Sequence, residues 1–192
     1  MAKDRTPKNP AFPIEWDEAQ KLIDGLFRHG KNRHAAYVKL ATTLGLRYSD
    51  TSRITWGQIL DSKTGVFQST EKKTGKVARR TISTDLVEFI AACYQSENCP
   101  PKDQPILTSQ KGGKIVSIQS MNMTAKGKWI DLYDLKIEPR NFSQHSFRKT
   151  SAMRVYDLHG IVQAQNWLNH ASATETAKYL LLNEKQKLAI TL

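Results

Sequence analysis

Apolar positions along most of this chain recur at the spacing of a helix. Between Pro13 and Gly30, Leu22, Ile23, Leu26 and Phe27 fall at i, i+1, i+4 and i+5, behind the acids Glu15, Asp17 and Glu18 that suit a helix amino end. His34 to Leu44 predicts a second, more apolar helix stopped by Gly45, and Ser49 to Ile54 a short third one before Trp56-Gly57. Thr84 to Cys93 carries Leu86, Val87, Phe89 and Ile90 and is closed by Pro100-Pro101. Ser117 to Leu135 and Ser143 to Leu158 follow, with Gly160 as the stop of the latter, then Ile161 to Leu168. Ser172-Ala173-Thr174-Glu175 has capping-box spacing and predicts a last helix carrying Tyr179.

The exceptions are short β-prone runs. Val66–Thr70 and Val77–Ile82 flank Lys73-Thr74-Gly75-Lys76 and predict a hairpin. Pro105 to Thr108 predicts a small strand, and Lys111 to Lys114 a turn. The architecture is therefore mainly α with a small antiparallel β-sheet (α+β). Neither an internal repeat nor a linker divides it. Residues 14–182 form one domain, 1–13 a flexible amino-terminal tail, and 183–192 a carboxy-terminal segment.

Composition narrows the class. At 192 residues and 39% hydrophobic content, the chain can bury a core without a staple and is neither disordered nor low-complexity. No apolar run approaches the ~20 residues of a membrane helix; Leu86 to Cys93 is short and interrupted by Glu88. The polar start, with Lys3, Arg5 and Lys8, lacks a secretory apolar stretch. Cys93 and Cys99 read as reduced thiols, which points to the cytoplasm. Against 18 Asp plus Glu stand 29 Lys plus Arg, a net +11, which points first to nucleic acid. Anionic membranes and acidic proteins also attract such a chain. The excess clusters at Lys63 to Arg80, at Lys111 to Lys128 and at Arg140 to Arg154. By itself the first cluster is a solvated hairpin.

Candidate chemistry comes from three small groups. His145 and Arg148, three apart on a helix, share a face. Leu168-Asn169-His170 is followed nine residues later by Tyr179, and Gly45-Leu46-Arg47 precedes Asp50 by three. Singly, each has a structural reading: a surface pair, a core tyrosine, and an arginine capping a helix with Asp50 as its ion-pair partner. Zinc is disfavoured, because no Cys-x-x-Cys or His-x-x-x-His spacing occurs. Trp129 and Trp167 read as core, and Lys185 and Lys187 as a solvated helix face.

In their order, Gly45-Leu46-Arg47-x-x-Asp50, Lys73-Thr74-Gly75, His145-x-x-Arg148, Leu168-Asn169-His170 and Thr176-x-x-Tyr179 resemble the motifs of the tyrosine recombinase (phage integrase) family. The resemblance spans about residues 14–182 and is to the catalytic domain. In layout the chain is similar to the short recombinases that invert fimbrial promoter segments, and nearly as similar to phage and mobile-element integrases. It departs from the family at Phe147 (commonly Leu), Asn169 (commonly Gly) and Asp50 (often Glu). Asn tolerates the left-handed backbone that the turn needs.

The resemblance implies six catalytic side chains. Tyr179 would attack a DNA phosphodiester and form a 3′-phosphotyrosyl link. Arg47 and Arg148 would fork onto phosphate oxygens, and His145 would accept the phenol proton. His170 would donate to the phosphate. Lys73, which opens the Lys-Thr-Gly turn, would protonate the 5′ oxygen. Asp50 is the supporting residue expected to orient Arg47. Lys72, Lys76, Arg79, Arg80 and Lys149 are expected to grip the DNA backbone. No metal, ATP or other cofactor is implied. The implied partner is double-stranded DNA, with a tetramer on DNA, a monomer in solution, the carboxy-terminal segment docked on a neighbour, and nucleoid association. The single-domain length adds an expectation of accessory DNA-bending proteins. A DNA-binding regulator that does not cut, and a type IB topoisomerase-like enzyme, are the alternatives.

Overall fold

Helix α2, Asn32–Leu44, is the element around which the chain is organised: Ala35, Ala36, Tyr37, Val38, Leu40, Ala41 and Leu44 along it are all buried. The computed structural model describes residues 10–62, 65–109 and 113–182. Helix α1, Trp16–Arg28, begins at a capping box in which the Glu15 and Glu18 side chains each accept from the other's backbone, and it lays Leu22, Ile23 and Leu26 against α2. Ahead of it, the Phe12 N–H donates to Asn141 O at 2.9 Å and the ring packs on the core, so part of the expected tail is fastened down.

Helix α2 ends at Gly45 in a left-handed conformation, φ 62°. A Cβ there would lie 2.2 Å from Trp167 Nε1 and 2.8 Å from Ser151 Oγ. Gly45→Ala should therefore destabilise by about 2–5 kcal/mol, from left-handed strain plus overpacking. Thermal melting checks this; a parental midpoint would refute it.

The turn after Gly45 leads into α3, Tyr48–Thr51, and α4, Trp56–Leu60. The latter was not foreseen in the sequence, although Thr55 and Gln58 form a capping box. Strands β1, Val66–Thr70, and β2, Val77–Thr81, pair antiparallel in the register Val66↔Thr81 to Thr70↔Val77. Gly75, at φ 68°, supplies the turn. Helix α5, Thr84–Ser96, is capped by Ser83 and packs on α2. Pro105 to Thr108 forms two isolated bridges, Thr55↔Pro105 and Thr108↔Ile115, in place of the expected strand. The expected turn at Lys111 to Lys114 lies partly outside the described residues.

Helix α6, Ile118–Thr124, runs through a π turn, Ala125–Trp129, into α7, Ile130–Leu132. Helix α8, Gln144–Leu168, is broken at Gly160 (φ 80°, ψ −178°), so the expected stop is a kink with the next helix starting at once. Helix α9, Ala173–Leu180, starts at Ser172, whose side chain accepts the Glu175 N–H. Two apolar clusters result. The larger one gathers α1, α2, α5 and the hairpin's inner face; the smaller one, with Ala152, Met153, Ala164, Leu168, Leu180 and Leu182, joins α8 to α9. Cys93 and Cys99 are unbonded. Among the described residues no helix is long and apolar enough to cross a membrane.

Candidate active site

The motif groups meet where the carboxyl end of α2, the hairpin turn and the two ends of α8 come together. Arg148, in the first half of α8, is 2% exposed and donates through Nη1 to Gly45 O (2.7 Å) and through Nη2 to Leu168 O (2.9 Å). One guanidinium thus fastens the segment that carries Arg47 to the one that carries His170. Asn169 between them takes the left-handed conformation, φ 55°, as its tolerance for that region allows.

Arg47 is paired with Glu71, whose side chain is wholly buried. The same carboxylate accepts from Thr74 Oγ1 (2.6 Å) and Asn169 Nδ2 (3.2 Å). Burial would raise the Glu71 pKa, but the bonds from Thr74 and Arg47, the Arg47 charge and the Asn169 bond together hold it below the ordinary value. The expectation that Asp50 orients Arg47 is therefore corrected. Asp50 Oδ1 instead accepts the Lys72 N–H at 3.1 Å, while its Oδ2 is buried without a partner. Geometry decides this: Asp50, within α3, bonds to the backbone of the hairpin turn, whereas Glu71, the residue after β1, reaches Arg47.

Tyr179 sits on α9 with its hydroxyl buried and in no hydrogen bond of proper geometry. Burial raises its pKa, and the Arg148 charge, the approach of that guanidinium to the hydroxyl, and then the Arg47 charge oppose the rise. The His170 ring stands edge-on to it, centroids 5.2 Å apart. His170 Nδ1 is 3.1 Å from Thr176 Oγ1, and its Nε2 lies 4.0 Å from Glu175 Oε1. Desolvation and the charges of Arg148 and Arg47 lower the His170 pKa, against Glu175, which raises it. His145 is also lowered, by desolvation and then by Arg148, Arg47, Lys149 and Lys73. Both histidines are thus biased towards the neutral form at pH 7.

The proposed backbone-gripping residues divide. Lys72, Lys76 and Arg79 are exposed on the hairpin, as is Lys73. Lys76 Nζ reaches Asn169 O (2.9 Å), and Arg79 Nε pairs across the strands with Gln68 Oε1 (3.0 Å). Arg80 and Lys149, by contrast, are buried, which corrects their assignment to the DNA backbone. Arg80 Nε donates to Leu44 O (2.9 Å), its Nη2 to Trp167 O, and its guanidinium stacks on the Trp167 ring at 4.1 Å. Burial and the adjacent Arg148 charge bring its pKa down to about 10. Lys149 Nζ lies 4.9 Å from the centre of the Tyr179 ring. Glu71 belongs to none of the sequence motifs, yet it joins three segments of the site.

The sequence profile of the phage integrase family matches residues 14–186. The chain belongs to that family. Its fold is that of solved tyrosine recombinases. A XerH recombinase bound to its palindromic difH substrate after cleavage is 16% identical, with a TM-score of 0.69 over 96% of this chain and 53% of that one. XerA recombinase is 18% identical, with a TM-score of 0.70 over 91% and 61%. The lambda integrase catalytic core is 18% identical, with a TM-score of 0.57 over 82% and 90%. The chain thus spans about half the length of the XerH recombinase but matches most of the lambda core. A comparison with curated protein sequences finds no match. Among the described residues no group of His, Cys, Asp or Glu could hold a metal ion.

Proposed function

We propose that the chain is the catalytic domain of a site-specific DNA recombinase or integrase working through a 3′-phosphotyrosyl intermediate on Tyr179. The observation that carries this reading is the placement of the Tyr179 phenol within the fields of Arg148 and Arg47, with His170 against its ring. In the proposed step the phenol oxygen bonds to phosphorus as the P–O5′ bond breaks. The phenol proton passes to a neutral histidine, and Lys73 gives a proton to the departing 5′ oxygen. Arg47 and Arg148 stabilise the anionic phosphorane, as forked donors remaining charged at any working pH. The new bond stores the phosphodiester's energy, so rejoining is the reverse reaction and needs no ATP.

His145 fits the acceptor role because desolvation and its cationic surroundings keep it neutral. His170 is the proposed hydrogen-bond donor to a phosphate oxygen. Double-stranded DNA is the proposed partner, gripped through Lys72, Lys76 and Arg79, with several copies required for strand exchange. The carboxy-terminal segment assigned to docking lies outside the described residues.

The test uses the DNA flanking the coding region, nicked so that a cleaved strand cannot be resealed. An SDS-resistant adduct whose phosphotyrosyl peptide maps to Tyr179 is expected. An adduct on another residue would overturn the nucleophile, and bound DNA without any adduct would favour a regulator. Relaxation of supercoiled plasmid without a specific site would favour the topoisomerase-like reading.

A further inference from the structure

The turn that carries Lys73 is fastened from both sides by buried acids. The backbone N–H of Lys72 donates to Asp50 Oδ1 (3.1 Å), and Thr74 Oγ1 donates to Glu71 Oε2 (2.6 Å). Within the turn, Glu71 N donates to Lys76 O and Gly75 N to Glu71 O, each at 2.9 Å. Lys76 Nζ then ties the turn to Asn169 O at 2.9 Å.

Glu71 stands out from the rest of this network. A wholly buried carboxylate is costly unless its acceptor sites are used, and here the three side-chain donors arrive from three separate segments. Arg47 comes from the amino end of α3, Thr74 from the lysine turn, and Asn169 from the loop that leads to His170. An apolar residue would fill the space without holding any of them.

We propose that Glu71 is a positioning residue: it locks the lysine turn onto Arg47 and the His170 loop, so that Lys73 stands at the leaving oxygen before DNA arrives. This rests on the assignment of Lys73 as the general acid. Preorganisation of this kind removes the ordering of an exposed turn from the barrier to cleavage. Thr74 conveys it, because its hydroxyl joins the carboxylate to the residue next to Lys73. The Arg47 bond gives Glu71 a second effect, on phosphate binding, that Thr74 does not share.

The test compares cleavage of two nicked duplexes, one with the ordinary scissile phosphodiester and one with sulfur in place of the bridging 5′ oxygen. A thiolate leaves without being protonated, so the second substrate has no use for a general acid. Thr74 is exposed, so Thr74→Val leaves the core intact. It should cleave the oxygen substrate about ten- to a hundredfold more slowly, the effect of one charge-assisted hydrogen bond, and recover on sulfur. Glu71→Gln should recover only in part, because Arg47 loses its partner as well. Lys73→Ala should recover, and Arg47→Ala should be slow on both substrates. If Lys73→Ala recovers while Thr74→Val is equally slow on both, or unimpaired, the role of Glu71 is overturned alone. If Lys73→Ala does not recover, the general-acid assignment falls and the inference falls with it.

Discussion

Tyr179→Phe should bind DNA as the parent does, form no SDS-resistant adduct, and melt at the same temperature. The first two results follow from chemistry. Phe keeps the ring that His170 and Lys149 contact, but it has no oxygen to bond to phosphorus. The third follows from burial. The Tyr179 hydroxyl is buried beside the Arg148 guanidinium without a well-formed hydrogen bond, so its removal costs the fold little. A catalytic nucleophile is a group whose best use lies in the transition state, not in the resting fold. Gel electrophoresis in SDS, a binding titration and a thermal melt cover the three. An adduct surviving the change would remove Tyr179 from the mechanism. A clear loss of melting temperature would mean that the hydroxyl has a structural partner.

The order of the motifs was legible in the sequence because each lies at the end of a helix or in a turn, where local rules are strong. Gly45, Ser172 and the Lys-Thr-Gly turn marked their boundaries correctly. Asn169 was readable as a left-handed residue for the same reason. What sequence could not supply was the direction in which charged side chains point. Arg80 and Lys149 sit in basic runs and counted as DNA-facing, yet both are buried. The alternation along β2 held the missing signal. Ala78 and Arg80 share the inner face while Val77 and Arg79 are outside, so reading the strand with period two would have turned Arg80 inward. Lys149 lies among Arg148, Thr150 and Met153 on a half-helix whose first turns are buried nearly all round, where periodicity gives little guidance.

Glu71 escaped for a different reason. Two of its three partners, Arg47 and Asn169, lie 24 and 98 residues away along the chain, and no local pattern reports such bonds. Asp50 looked like the partner of Arg47 because it was close in sequence. The fold replaced a near neighbour with a distant one. The net charge of +11 is consequently not one quantity. Arg80 and Arg148 act as internal ties to main-chain carbonyls, Arg47 is held at the site by Glu71, and Lys72, Lys73, Lys76 and Arg79 are left for solvent or DNA. The salt dependence of DNA binding should reflect only the last group and its equivalents elsewhere, at about −0.9 in log–log slope per neutralised phosphate.

Arg148→Ala should slow cleavage by about 10³-fold or more while changing DNA affinity little, since the loss falls on the phosphorane's charge. The variant also orphans Gly45 O and Leu168 O, each accepting from that guanidinium, so its melting temperature should fall. Arg148→Lys separates the two roles. An ammonium keeps the charge, so the salt slope of binding should be unchanged, but one point donor on a flexible stem cannot hold both carbonyls and a phosphate. Cleavage by Arg148→Lys, measured well below its melting temperature, should therefore stay far nearer to Arg148→Ala than to the parent. Cleavage close to the parental rate would reduce Arg148 to a source of field alone. A parallel loss of binding and cleavage in Arg148→Ala would make it a binding residue, and the transition-state role would then rest on Arg47.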